Sequence, residues 1–261
     1  MRTSEFQGKI WGANAKDWAD YGESTSNDLF NAVLRKSDTL NKGSKLLDVG
    51  CGAGGFCLMA RDMGLDVSGF DASAQLISIA KKRLPEAEFK NGDLEELPYD
   101  DSSFDMVTGF NSFQFAGNIV NALKEAKRVT KKGGKVIIAV WGKPQDSDAS
   151  QIFSSLAQYM PPPVSTGRAP LYSDGTLEAI VRDAELSLET AEEVVCEWKF
   201  KDEAAALKAI MSAGLIVLAI QNAGEEKIRK TIGNAIKQFR QNDGSYLLKN
   251  TFICLTSSVR K

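Results

Sequence analysis

The chain has 261 residues, of which 43% are hydrophobic and 25% charged, and its formal net charge is −2. These are the proportions of an ordinary globular protein, and with no basic block longer than Lys81, Lys82 and Arg83 they argue against a dedicated nucleic-acid or membrane-surface binder. The sequence contains no histidine, which removes Ser-His-Asp chemistry, histidine-held metals and the commonest general base; four scattered cysteines without C-x-x-C spacing predict a reduced, cytoplasmic setting and no zinc site.

Residues 1–44 read as a helical arm, partly aromatic, with Trp11, Trp18 and Tyr21. The stretch MRTSEFQGKIWG lacks the apolar region of a signal peptide, and no run is long enough to span a bilayer. Residues 45–142 alternate β-rich runs with amphipathic stretches, the pattern of a parallel sheet with crossover helices. KLLDV is the first strand, GGFCLMARDMG a helix stopped by Gly64, and DVSGF the second strand. SAQLISIAKKRL is a helix with Ser73 as N-cap and Pro85 just beyond. AEFKNGD and FDMVTGF are the third and fourth strands. IVNALKEAKRVTKKGG is a helix ended by Gly133 and Gly134, and KVIIAVWG is a buried fifth strand.

Residues 143–172 form a proline-bearing lid loop, since YMPPPVSTGRAP forbids regular structure. The remainder, 173–261, adds a crossover helix (SDGTLEAIVRDA), two strands (LSLETAEEVVCEWKF and YLLKNTFICLTSSV) and, between those strands, a two-helix insertion at about 202–241. The expected architecture is therefore α/β, a doubly wound and mostly parallel sheet of seven strands, decorated by a helical arm and a helical cap.

The stretch that carries function is KLLDVGCGAGGF, Lys45 to Phe56. Gly50, Gly52 and Gly55 satisfy G-x-G-x-x-G, while Gly50, Gly52 and Gly54 satisfy G-x-G-x-G. Residues without a Cβ let the chain turn from strand to helix and let a ligand approach the backbone, and the helix N-terminus offers unpaired N–H groups. Asp71, at the end of the second strand, is placed to accept from both hydroxyls of a ribose. Its competing reading is a cap for the following helix, for which Ser73 is better placed. Asp48 discriminates between cofactors. A carboxylate two residues before a pyrophosphate cradle is out of place, but it suits a cationic ligand end such as an α-amino group or a sulfonium. Satisfaction by neighbouring backbone amides is the competing account.

Together with GFDAS, NGDLEELPYDDSSFDMV and RVTKKGGKVIIA, this stretch resembles the class I S-adenosylmethionine-dependent methyltransferases, a Rossmann-like fold. It looks most similar to the small-molecule branch that includes the ubiquinone/menaquinone C-methyltransferases. The resemblance covers about Lys45 to Trp141; WGANAKDWADYGE and the C-terminal pattern also look like a group of bacterial methyltransferases. It implies S-adenosyl-L-methionine as cofactor, no metal, and a monomer or homodimer acting on a small-molecule acceptor. Asp48, Gly50, Cys51, Gly52 and Gly54 would line the methionine part. Asp71 would hold the ribose, Ala72 and Leu94 would lie against the adenine, and Asp93 would accept from its amino group. Asn111 would sit under the methionine and face the acceptor, while Trp18 and Tyr21 would close over the cofactor.

The acceptor pocket would be built from Phe113, Gln114, Phe115, Trp141 and the lid loop, with Arg168 and Tyr172 available to an anionic group; no catalytic residue is assigned. GFNSFQF follows the fourth strand where amide and adenine N-methyltransferases carry an NPPY-type tetrad, so such acceptors lose support. The alternatives are an NAD(P)-dependent oxidoreductase, resting on G-x-G-x-x-G alone, and a non-catalytic S-adenosylmethionine-binding module.

Overall fold

A computed structural model describes residues 3–36, 40–161 and 169–260. The chain opens with helix α1 (Thr3–Gly12), a single turn α2 (Ala15–Asp17), a π-helical turn (Trp18–Gly22), a 3-10 turn (Glu23–Ser26) and α3 (Asn27–Lys36). Then come β1 (Lys45–Val49), α4 (Gly55–Asp62), β2 (Asp66–Asp71), α5 (Ala74–Arg83), β3 (Glu88–Asn91), β4 (Phe104–Phe110), α6 (Ile119–Val129) and β5 (Thr130–Trp141). Helices α7 (Ala149–Leu156) and α8 (Thr176–Asp183) precede β6 (Ser187–Phe200). Helices α9 (Glu203–Met211), α10 (Gly214–Ala223) and α11 (Glu225–Ile236) separate it from β7 (Tyr246–Ser258).

The seven strands form one sheet in the order β3-β2-β1-β4-β5-β7-β6, with β7 antiparallel to both β5 and β6 and the other pairings parallel. This is the expected doubly wound, mostly parallel sheet. Strand order reverses between β1 and β4, so the ends of those two strands open the crevice in which such folds bind ligands. One face packs against α3, α4 and α5 and against the helices between β6 and β7. The other packs against α6 and α8. Both faces of β1 after Lys45, and of Val136–Val140 in β5, are covered, so these stretches are buried and, Asp48 apart, apolar.

Three local expectations differ from what forms. Helix α6 stops at Val129 instead of running to Gly133-Gly134. Thr130 donates its hydroxyl to Ala126 O (2.6 Å), and from there the chain is already strand, opposite Phe104. Gly133 at φ +78 and a register shift on β4 let this irregular start join the ladder. The span read as a lid loop contains α7, whose Ala149, Ile152 and Leu156 are buried in the main core. Two turns of apolar spacing without a side-chain N-cap gave too weak a signal. The PPPV stretch of that span lies largely outside the described residues, as does Arg168.

The insertion holds three helices rather than two. Helices α9 and α10 meet at a 93° bend, where the Ser212 hydroxyl bonds back to Ala209 O (2.6 Å). Gly214 then passes under the Trp11 ring; a Cβ there would sit 2.7 Å from it. The arm and the cap therefore touch: α1 packs on α10, and the π-helical turn packs on α9. No single helix among the described residues is long and apolar enough to cross a membrane.

Gly109 on β4 shows how tightly the sheet is packed. An added Cβ would lie 2.3 Å from the ring of the fully buried Phe113. Gly109→Ala is expected to cost about 1–3 kcal/mol of stability by overpacking, read as a lower urea midpoint with unchanged slope. A loss below about 0.5 kcal/mol, the range of surface substitutions, would show that the ring moves aside freely.

Candidate functional site

The loop after β1 carries three successive left-handed glycines, Gly50 at φ +80, Gly52 at +56 and Gly54 at +85. Gly50 is also sterically obligatory, because a Cβ there would lie 2.2 Å from Ser112 Cβ. Ser112 anchors this crossing by donating its hydroxyl to Val49 O at 2.6 Å. The loop leads into α4, and a cleft opens above it at the carboxyl edge of the sheet.

Asp48 is the register partner of Thr108 on β4, and the Thr108 hydroxyl donates to Asp48 Oδ1 at 2.8 Å. The carboxylate is 2% exposed, and no hydrogen bond to Oδ2 is found among the described residues. Burial pushes its pKa up to about 7, against the opposing Thr108 bond and helped by the charges of Asp71 and Glu23. Asp71, also buried, accepts from the Ser73 N–H (2.7 Å, Oδ1) and the Gly52 N–H (2.9 Å, Oδ2), and burial raises its pKa too. Ser73 caps α5 by accepting from the Leu76 N–H at 3.2 Å.

A third carboxylate comes from the arm. Glu23 Oε1 accepts from the Gly55 N–H (3.0 Å) at the N-terminus of α4, and Oε2 accepts from Arg83 Nη1 at 2.6 Å. Arg83 also donates to Ala53 O (3.2 Å) and Ala19 O (2.7 Å), so its guanidinium ties arm to loop. Sequence reasoning missed Glu23 and gave Arg83 no partner. A contact between residues sixty positions apart leaves no local pattern.

One cavity joins these carboxylates to the cap. Asp48, Gly50, Cys51, Asp71, Ala72, Leu94, Asn111, Phe115, Trp18 and Trp141 line it, all of them expected at the site. Its far half is aromatic, with Phe30, Phe110, Trp141, Phe153, Trp198 and Phe252, closed by Ile210 and Leu215. Trp141 packs against Trp198 and Phe252, with ring centroids 5.7 and 4.6 Å apart. Asn111 stands between the halves in the left-handed region (φ +50), which Asn tolerates better than most residues. It accepts at Oδ1 from Gln114 Nε2 (3.3 Å).

Other expected site residues lie elsewhere. Phe113 is fully buried on the opposite face of the sheet with α6, because the 3-10 turn Phe113–Phe115 aims its neighbours in different directions. It is not a pocket wall. Gly54 faces Ala80 of α5, 3.2 Å from where its Cβ would be. Tyr21 packs under Lys208, whose ammonium lies 4.8 Å from the ring centroid. Gln114 touches the cavity through Asn111 alone. Asp93 closes a turn by accepting from the Glu95 N–H (3.0 Å), next to the cavity wall at Leu94. Tyr172 is half-buried in a turn before α8.

Residues 47–138 match the family model for the methyltransferase domain. Over these residues the chain is similar to methyltransferase domains. The match takes in neither the N-terminal helices nor the cap. A demethylmenaquinone methyltransferase of Renibacterium salmoninarum is 38% identical over 102 residues, which is 39% of this chain and 43% of that protein. A malonyl-[acyl-carrier protein] O-methyltransferase of Pectobacterium atrosepticum is 31% identical over 116 residues, 44% of this chain and 46% of that protein. The chain thus spans under half the length of these curated relatives. The geranyl diphosphate C-methyltransferase of Streptomyces coelicolor shares the fold with a TM-score of 0.54 at 14% identity, over 90% of this chain and 79% of that one.

In this sheet the raised pKa of Asp48 has a thermodynamic consequence. The folded state holds a proton that the unfolded state gives up near the ordinary value of 3.8, so stability falls as pH rises from about 4 to about 7. Asp48→Asn removes that cost. The ligand-free variant is expected to be more stable than wild type by a few kcal/mol at pH 8, with the gain shrinking towards zero near pH 4. Urea melts at the two pH values test this; an equal gain at both would refute the linkage.

Proposed function

We propose that the chain transfers a methyl group from S-adenosylmethionine to a small, largely apolar acceptor. The observation that carries this reading is the charge distribution of one cavity. Three buried carboxylates, Asp48, Asp71 and Glu23, face one end with a single guanidinium beside them, and aromatic rings without an ionisable side chain wall the other. Such an end fits a cationic amino-acid group and repels a pyrophosphate. Asp48 Oδ2 would receive the α-amino group, Asp71 the ribose hydroxyls, and Ala72 and Leu94 would flank the adenine. Bound S-adenosylmethionine supplies a methyl group already activated on a sulfonium, so the reaction needs alignment and dehydration more than bond-breaking help.

The protein's part is then positional. Trp18 and Trp11, edge-to-face with centroids 5.0 Å apart, roof the cofactor end and exclude water. Gln114 fixes the Asn111 amide, leaving its Nδ2 for the acceptor at the boundary of the two halves. Among the described residues the aromatic half offers no carboxylate or lysine, so a proton lost by the acceptor on methylation would pass to water rather than to a side chain. Of the acceptors in the relatives' names, a flat ring such as that of demethylmenaquinone suits these walls. A malonyl group would bring a carboxylate to a chamber with no cation among the described residues.

The oxidoreductase alternative requires a phosphate at the N-terminus of α4, where Glu23 already sits. A purely cofactor-binding module would not need the aromatic chamber. Isothermal titration is expected to show binding of S-adenosylmethionine and S-adenosylhomocysteine but not NADH; the reverse pattern would sink the proposal. Asp48→Ala should weaken S-adenosylmethionine by about tenfold or more. With an acceptor found by screening a metabolite library for S-adenosylhomocysteine release, Trp141→Ala should raise the acceptor KM and leave cofactor affinity unchanged. An unchanged KM would remove Trp141 from the acceptor site.

A further inference from the structure

Glu23 belongs to the arm, outside the residues matched by the family model, yet it sits in the cofactor loop's most electropositive position. It is 8% exposed and lines the cavity. Gly55 is shaped to it. A Cβ on Gly55 would lie 2.6 Å from Glu23 Cδ, whereas one on Gly52 would merely touch Glu23 Oε1, and that position owes its glycine to a φ of +56. Of the three glycines in the G-x-G-x-x-G spacing, the last therefore makes room for a protein carboxylate.

The charges do not balance. Arg83 is committed to Glu23 and to two backbone carbonyls, so it neutralises one carboxylate at most. Asp48 and Asp71 have no cationic side chain bonded to them among the described residues, and Asp48 Oδ2, in a carboxylate 2% exposed, faces the cavity unbonded. A buried excess of negative charge calls for a cation from outside the protein. A phosphate entering here would have to displace Glu23 from both Gly55 and Arg83.

We propose that Glu23 is a specificity-determining residue of the cofactor site: it fills the anion seat at the N-terminus of α4 and, with Asp48, forms the negative surface that holds the cofactor's α-amino group. This rests on the methyltransferase reading and extends it to a residue of the arm. Docking of the arm and recognition of the cofactor's amino-acid end thereby become one event, since the carboxylate that bonds Arg83 also faces the ligand.

The test uses three ligands on the full chain: S-adenosylmethionine, S-adenosylhomocysteine and 5′-methylthioadenosine, which keeps the adenosine and sulfur but lacks the amino-acid end. Variants Glu23→Gln, Glu23→Asp and Arg83→Met are first checked for folding by circular dichroism, then titrated calorimetrically. E23Q is expected to weaken the first two ligands by about tenfold or more while methylthioadenosine changes by less than about twofold. E23D should recover most of the loss. R83M, which breaks the latch but keeps the charge, should retain the preference for S-adenosylmethionine over methylthioadenosine.

Parallel weakening of all three ligands by E23Q would overturn the proposal and leave Glu23 a purely structural latch. So would unchanged binding of the two amino-acid-bearing ligands, or an R83M variant that loses the preference as fully as E23Q. If E23Q does not fold, the E23D and R83M ratios decide alone: the proposal stands when both keep the preference and falls when either loses it. Wild-type protein that binds none of the three ligands would sink the methyltransferase reading itself, a result distinct from any variant pattern.

Discussion

The burial of Asp48 is the constraint on which the site turns. It sits mid-sheet at a position that parallel strands fill with apolar side chains, and only the Thr108 hydroxyl, its neighbour in register, offsets its desolvation. An isolated carboxylate in such a place titrates near neutrality, which makes it sensitive to whatever lies above it. A neutral ligand would leave the cost in place. A cationic one would offset it, and the loop above is open enough, through Gly50 and Gly52, to bring that cation close.

The remainder of the fold is arranged around this charged edge. The sheet supplies Asp48 and Asp71 from the ends of neighbouring parallel strands, and the arm adds Glu23. Gly8 of α1 lies against the backbone of Ala72, where a Cβ would be 2.3 Å from the carbonyl oxygen, so α1 sits directly on the turn that follows Asp71. Gly214 permits the same closeness between α10 and Trp11. Two small residues thus let arm and cap close over one cleft, with Trp11 in contact with both Trp18 and Phe115.

How far the sequence could be read follows from the range of each interaction. The strand–loop–helix unit, the Ser73 cap and the carboxylates Asp48 and Asp71 were legible because their partners lie within a short stretch or in a recurring topology. Glu23 was not, because its bonds to Gly55 and Arg83 exist only once the arm has docked. Phe113 and Phe115 look equivalent in NSFQF, yet one belongs to the core beneath the sheet and the other to the cavity. The intervening turn, not hydrophobicity, separates them. Helix α7 was hidden by the prolines beside it, and the α9–α10 bend by a run of helix formers in which only Ser212 and Gly214 mark the break.

The division between what the family match covers and what it omits is also a division of chemistry. Residues 47–138 hold Asp48, Asp71, Leu94 and Asn111, which line the carboxylate end of the cavity and its boundary. Most of the aromatic half comes from outside that span: Phe30 from α3, Trp141 from the last position of β5, Phe153 from α7, Trp198 and Phe252 from the paired strands β6 and β7, and Ile210 from α9. The antiparallel β6–β7 pair is 14 and 13 residues long, and it carries Trp198 and Phe252 to the same mouth that the cap helices cover. The aromatic chamber is therefore built by elements that lie outside the matched core. Likeness in the core alone leaves the acceptor open; the chamber's rings are what narrow it.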